Sequence, residues 1–175
     1  MVTGIALALT SLALSGAEPE PQYRSRVGNN ILAQQLVDEA VIAHPTVFHF
    51  YLHAIPPGGK DSQIIAQVGA RPFIGKATGD VEGTVAKLDQ ILLGYEPGYD
   101  KIPRYKVAGP LRDASGNIVG MILMSIRRPR LEVNPEDQAA AVKMGLKIIA
   151  EIGAKISNHD SLFNVVTVVP EVVAK

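Results

Sequence analysis

The feature that most narrows the folds open to this chain is the run from residue 104 to residue 127. Residues 104–111 and 117–127 are β-rich and are joined by Arg112-Asp113-Ala114-Ser115-Gly116. That connection has turn chemistry, and Gly116 is free to take positive φ. The second stretch is apolar on both sides, with Ile118, Ile122, Met124 and Ile126 against Val119, Met121 and Leu123. A strand covered on both faces belongs in the middle of a sheet. Gly120 within it predicts a bulge or the close approach of another backbone.

The remaining elements read as partners for that hairpin. Residues 46–55 alternate, with Phe48, Phe50, Leu52 and Ala54 on one face and Val47, His49, Tyr51 and His53 on the other. Pro56-Pro57-Gly58-Gly59 stops this strand and 62–69 resumes as a second, which predicts an antiparallel hairpin with a longer loop. Asn29 or Asn30 can cap a helix carrying Ile31, Leu32, Leu36, Ala40 and Ala43, ended by His44-Pro45. Asp80 opens a middle helix with Val81, Val85, Leu88 and Leu92 on its stripe, ended by Gly94, and residues 95–103 read as a loop. Asn134-Pro135-Glu136-Asp137 is a cap, a first-turn proline and two acids at the positive dipole end. The helix it opens should bury Val142, Leu146, Ile149, Ile152 and Ile156. No internal repeat or domain-scale linker interrupts the 175 residues, a length suited to one domain.

The N-terminus predicts a destination. Residues 1–17 carry no side-chain charge, include an aliphatic run at 5–14, and end in Ser15-Gly16-Ala17 before Glu18-Pro19-Glu20-Pro21. The run is too short to span a bilayer, which takes about 20 apolar residues. It has the pattern of a secretory signal cut near Ala17, although no Lys or Arg precedes it; a buried N-terminal helix or strand is the competing reading. The expected organisation is a signal at 1–17, a polar lead-in at 18–28, one domain at 29–160 and a tail at 161–175, in a periplasmic or secreted protein with no membrane span in its mature chain. Lys+Arg and Asp+Glu are both 17, so a neutral chain lacks the field that would hold nucleic acid. With no cysteine there are no disulfides, thiolate metal sites, cysteine nucleophile or covalent c-type haem.

The stretch Gly109-Pro110-Leu111-Arg112-Asp113-Ala114-Ser115-Gly116-Asn117-Ile118-Val119-Gly120 resembles the final hairpin of Cache and other PAS-like extracytoplasmic sensor domains. Leu52-His53-Ala54-Ile55-Pro56-Pro57-Gly58 and Ile74-Gly75-Lys76 are similar to small secreted bacterial proteins of this type. The resemblance spans about residues 30–157. It implies an α+β fold: a PAS/Cache-like antiparallel sheet of about five strands, with N- and C-terminal helices and a middle helix. It also implies a small-molecule pocket between one sheet face and the loops above it. The aromatic and acidic ligand clamp of amino-acid-binding Cache domains has no match here, and a receptor role would need a membrane-bound signalling partner.

Candidate binding residues follow from the polar face of the first strand. His49, Tyr51 and His53 are either half-buried structural groups or the lining of a pocket. His49 and His53 stand about 13 Å apart along a strand, too far to share one metal ion, and no metal or other cofactor is expected. Tyr105, with Val107, is expected to project from the other hairpin onto the same face. Arg71 and Lys76 are the available cations for a carboxylate, or else solvated loop charges. Gly69–Lys76 departs from a phosphate loop: one residue too many between its glycines, an internal proline, and Ala77 where a hydroxyl should bind magnesium. Arg127, Arg128 and Arg130 form either a docking patch or an ordinary solvated strand end. No nucleophile elbow and no carboxylate pair with catalytic context is present. The expectation is therefore a non-catalytic, sensor-like domain for a small polar or carboxylate-bearing ligand. The alternative is an interaction or homodimerisation module whose pocket is filled by its own side chains.

Overall fold

The computed structural model describes residues 30–69, 71–96, 102–128 and 132–166; the expected leader and lead-in lie outside them, as does Arg130. In chain order the elements are α1 (Leu32–Ala43), β1 (Val47–Ala54), β2 (Gln63–Val68), α2 (Asp80–Lys87), β3 (Leu92–Glu96), β4 (Arg104–Arg112), β5 (Ile118–Arg127) and α3 (Pro135–Gly153), followed by a 3₁₀ turn at His159–Phe163. The strands form one antiparallel sheet in the order β2-β1-β5-β4-β3. This is the α+β arrangement expected, with β5 at the centre.

The turn joining β4 to β5 works as its residues dictate. Gly116 has φ +88°, and the Asp113 carboxylate accepts backbone N–H bonds from Ser115 and Asn117, both at 2.9 Å. Burial pushes the Asp113 carboxyl up, but hydrogen bonds from Asn117, Ser115 and Gly116 outweigh it and the net shift is downward. Both readings of Gly120 hold. The β4–β5 register slips between Leu111 and Arg112, and a Cβ on Gly120 would strike the His53 carbonyl oxygen of β1.

One sheet face is closed by α1, over β1 and β2, and by α3, over β4. Its core contains Phe50, Leu52, Val107, Ile122 and Met124 from the sheet, with Leu36, Val37, Ile148 and Ile152 from the helices. The α3 stripe differs from expectation: Ala141, Gly145, Ile148, Ile149 and Ile152 are buried, whereas Leu146 is 41% exposed. Gly145 sets that rotation, because Val107 of β4 occupies the space a side chain there would need. Asn134 caps α3 as expected, accepting from the N–H groups of Glu136 and Asp137. No side chain caps α1, whose N-cap is Ile31. Its buried stripe is Ala33, Leu36, Val37 and Val41.

Two further expectations are corrected. The middle helix ends at Lys87, and Leu92–Glu96 is strand β3, paired with β4. Asp89 at φ +52° breaks the helix, and pairing with β4 satisfies the backbone that helix would have used. Leu92 matched the helical period by coincidence. Second, the fold does not stop at residue 160. Leu162 is fully buried, and 164–166 pair with 30–32 through Leu32 N–H to Asn164 O at 2.9 Å and Val166 N–H to Asn30 O at 2.8 Å.

Candidate functional site

The sheet face opposite α1 and α3 is only partly covered, by α2 and by the segment 71–79. Val85 of α2 sits on Ala108, Met121 and Leu123 in a small second core. The segment is tied along the outer edge of β2, with Ile64 N–H to Lys76 O at 2.9 Å, Gly75 N–H to Ile64 O at 2.8 Å and Thr78 N–H to Ser62 O at 2.9 Å. Gln67 holds its start: the amide nitrogen donates to Arg71 O and the amide oxygen accepts from Phe73 N–H, both at 2.6 Å. A short loop pinned at both ends presents Phe73, Lys76 and Thr78 in fixed positions.

Between this segment and the sheet lies a cavity of about 350 Å³, lined by His49, Tyr51, His53, Phe73, Lys76, Glu82, Arg104, Lys106 and Ser125 among others. Its floor follows from register. His49 lies beside Ser125, and Ser125 beside Lys106, so these three point to one face. Four of the sequence candidates, His49, Tyr51, His53 and Lys76, are thus brought together. Arg71 is exposed and does not line the cavity.

Tyr105 is on the other side of the sheet, correcting the expected face. It is 1% exposed within the helix-covered core, and its hydroxyl donates to Asn134 O at 3.4 Å. The cavity-facing residues of β4 are the even-numbered Arg104 and Lys106. The alternation Arg-Tyr-Lys-Val carried that signal, since two cations on the helix-packed face would face a heavy desolvation penalty. Phe48 is also displaced from the expected apolar face. A bulge between Val47 and His49 puts Val47 in the core instead, and Phe48 lies under the guanidinium groups of Arg104 and Arg127, at 4.7 and 5.4 Å. Arg128, buried at the same strand end, stacks on Tyr95 at 4.3 Å.

Burial is the main reason that both histidines are neutral, and the charges nearby differ. Arg104 donates from Nη1 to His49 Nδ1 at 2.7 Å; because guanidinium can only donate, His49 must carry its proton on Nε2. Burial, with the charges of Arg104 and Lys106, holds His49 down to about 4. Burial likewise holds His53 down to about 4, against the opposing pull of Glu82. Thr78 Oγ1 lies 2.9 Å from His53 Nδ1 and 2.8 Å from Ser62 Oγ, linking the imidazole to the segment through two hydrogen bonds. The other ring nitrogen, His53 Nε2, is buried without a hydrogen-bond partner, a cost of about 1–3 kcal/mol.

The positive side chains around the cavity, Arg104, Lys106 and Lys76, outnumber the one carboxylate, Glu82. Tyr51 and Phe73, with ring centroids 6.0 Å apart, supply an aromatic wall. A larger hollow of about 720 Å³ adjoins at Ala77, Gly79 and Glu82, but its charges are of mixed sign: Lys60, Asp61, Asp80 and Lys87. Among the described residues, no group of three or more His, Asp or Glu side chains is placed to hold a metal ion, and no helix is long and apolar enough to cross a membrane.

No protein-family model matches the chain, and no curated protein is significantly similar to it. Among solved structures it is similar to a protein described as a GAF sensor from Burkholderia vietnamiensis, with TM-score 0.49 and 13% identity over 74% of this chain and 76% of that one. It is also similar to the GAF domain of an Acinetobacter phosphoenolpyruvate-protein phosphotransferase, with TM-score 0.42 and 12% identity over 67% of this chain and 77% of the other. A third likeness is to the blue-light absorbing form of the Thermosynechococcus elongatus PixJ GAF domain, with TM-score 0.39 and 8% identity over 69% and 82%.

Proposed function

We propose that this chain is an exported, sensor-like domain that binds a small anionic molecule, of the carboxylate class, in the cavity over β1, β4 and β5. The observation that carries the reading is the convergence of Arg104, Lys106 and Lys76 on one cavity of about 350 Å³, within the size range of small-molecule sites. Two neutral imidazoles and the Tyr51–Phe73 wall add hydrogen-bonding and apolar surface for the rest of such a ligand. The reading is one of binding without catalysis. Both imidazoles, held near 4, are poorly matched to proton transfer at neutral pH. The sensor element rests on the resemblance of residues 109–120, and export rests on residues 1–17.

Thermal-shift screening of small carboxylates identifies the ligand, and titration calorimetry then compares Lys76→Ala and Lys106→Ala. Each should weaken binding by about tenfold, as loss of a charge-assisted contact does. Unchanged affinity in both variants would refute the anionic reading. N-terminal sequencing from the native host should begin near Glu18; a mature cytoplasmic protein retaining Met1 would refute export.

A second reading, association with another copy through α2 and β3, draws on Val81 and Leu88, each 59% exposed, and Leu93, 41% exposed on an edge strand. Sedimentation at rising concentration tests it: a dimer abolished by Leu93→Lys would favour it.

A further inference from the structure

We infer that the ligand of this cavity is an amphipathic monocarboxylate, its head held by the cations and its apolar tail lying in the adjoining hollow of about 720 Å³. This inference rests on the anionic reading above and adds the chemical class of the rest of the ligand.

The two spaces follow one line along the sheet. His49 lies beside Ser125 on the cavity floor, and His53 lies beside Met121 four residues further along β1. Beyond that point Ala54 and Ile55, at the end of β1, and residues 118–121 of β5 line the hollow. Ala77, Gly79 and Glu82 line both spaces, which makes them a doorway between the two. Lys76, a cation of the cavity, immediately precedes Ala77. Gly79 keeps that doorway free of a side chain: a Cβ there would stand 2.5 Å from Glu82 Oε2.

The hollow is built for an apolar occupant. Ile55 and Ile118, 43% and 39% exposed, both line it. Two large aliphatic side chains left open in one concavity are surface that a tail would remove from water. Gly83, inside α2, lines the same hollow, and a Cβ there would meet nothing within 4 Å. Glycine inside a helix is destabilising relative to alanine. No packing neighbour requires it here, so what Gly83 supplies is clearance over the hollow. Ala86, three residues on and so on the same helix face, also lines the hollow and is equally small. The charged residues, Lys60, Asp61, Asp80 and Lys87, are all exposed and divide evenly in sign, so they offer a second ligand charge no net field. Glu82 at the doorway would repel a second carboxylate. A neutral tail meets neither obstacle.

Calorimetry with hexanoate, decanoate and decanedioate, each below its micelle concentration, tests this directly. Full burial is worth about fourfold in affinity per methylene. Across the added methylenes of a partly covered tail, decanoate should bind the wild-type chain at least about tenfold tighter than hexanoate. Decanedioate should lose that gain. Gly83→Leu fills the hollow from a helix position with room for a side chain. It should abolish the gain of decanoate, leave hexanoate unchanged and unfold at a urea midpoint no lower than the wild type's. Ile118→Thr, which keeps a β-branched residue in β5, should reduce the same gain and stands in if the first variant does not fold. Level affinity from hexanoate to decanoate, a gain that persists in the folded variants, or decanedioate binding as tightly as decanoate overturns this inference and leaves the anionic reading standing. Binding of none of the acids overturns both.

Discussion

His49 and His53 show how a residue's surroundings become a measurable property of the protein. Both are held neutral down to about pH 4 in the fold, against an ordinary value of 6.5. Between those values the unfolded chain binds more protons than the folded one, so stability falls as pH is lowered from about 6.5 towards 4 and is unaffected by these groups above that range. The full shift is worth about 3 kcal/mol per imidazole before solvent screening reduces it. Urea midpoints measured across that window should decline in the wild-type chain and stay nearly level in a His49→Gln, His53→Gln double variant. A second titration isolates one cause. Arg104→Gln removes the nearest charge on His49, so its NMR-observed pKa should rise from about 4 towards 6.5 while that of His53 stays put. An unmoved His49 would mean that burial alone sets its state.

At the scale of elements, two departures from regular pairing position the site. Gly120 lets β5 lie against the His53 carbonyl; Gly120→Ala should cost about 1–3 kcal/mol by overpacking and should broaden the His53 ring signals. The cap of α3 offers a control remote from the cavity: Asn134→Ala should lose about 1 kcal/mol in denaturant unfolding with no effect on binding. Legibility in the sequence varied with how local the cause was. Gly116, Gly120 and Asn134 announced a turn, a close approach and a cap, because each acts through its own backbone. The Val47/His49 bulge and the α2–β3 boundary were hidden, because they depend on what a neighbouring strand offers. Thus alternation alone puts Phe48 in the core, and helical period alone puts Leu92 in a helix.

For the whole molecule, alternation along β1 separates core from cavity. Phe50 and Leu52 belong to the helix-covered core, and Tyr51 and His53 to the cavity. Phe50→Leu should lower the unfolding free energy by about 1 kcal/mol and leave ligand affinity unchanged. Tyr51→Phe should weaken binding with the fold intact. Saturating ligand at about 100 times its Kd should add about 2.7 kcal/mol to either protein that binds it. Comparing the two variants by titration and by unfolding checks the division. The first strand's share of the cavity was legible because alternation holds from His49 to His53, beyond the bulge. The contribution of β4 was not, because which of Arg104 or Tyr105 faces the cavity is decided by its pairing with β5.

The pinned segment 71–79 has a consequence for how this protein could diversify. Its backbone is fastened to β2 by main-chain bonds and by Gln67, and those fastenings do not depend on the side chains of Phe73 or Lys76. The roof of the cavity can therefore be rewritten letter by letter while its frame persists. A library randomised at residues 73 and 76 should yield mostly folded members with divergent ligand preferences, whereas one randomised at Gln67 should lose the frame itself.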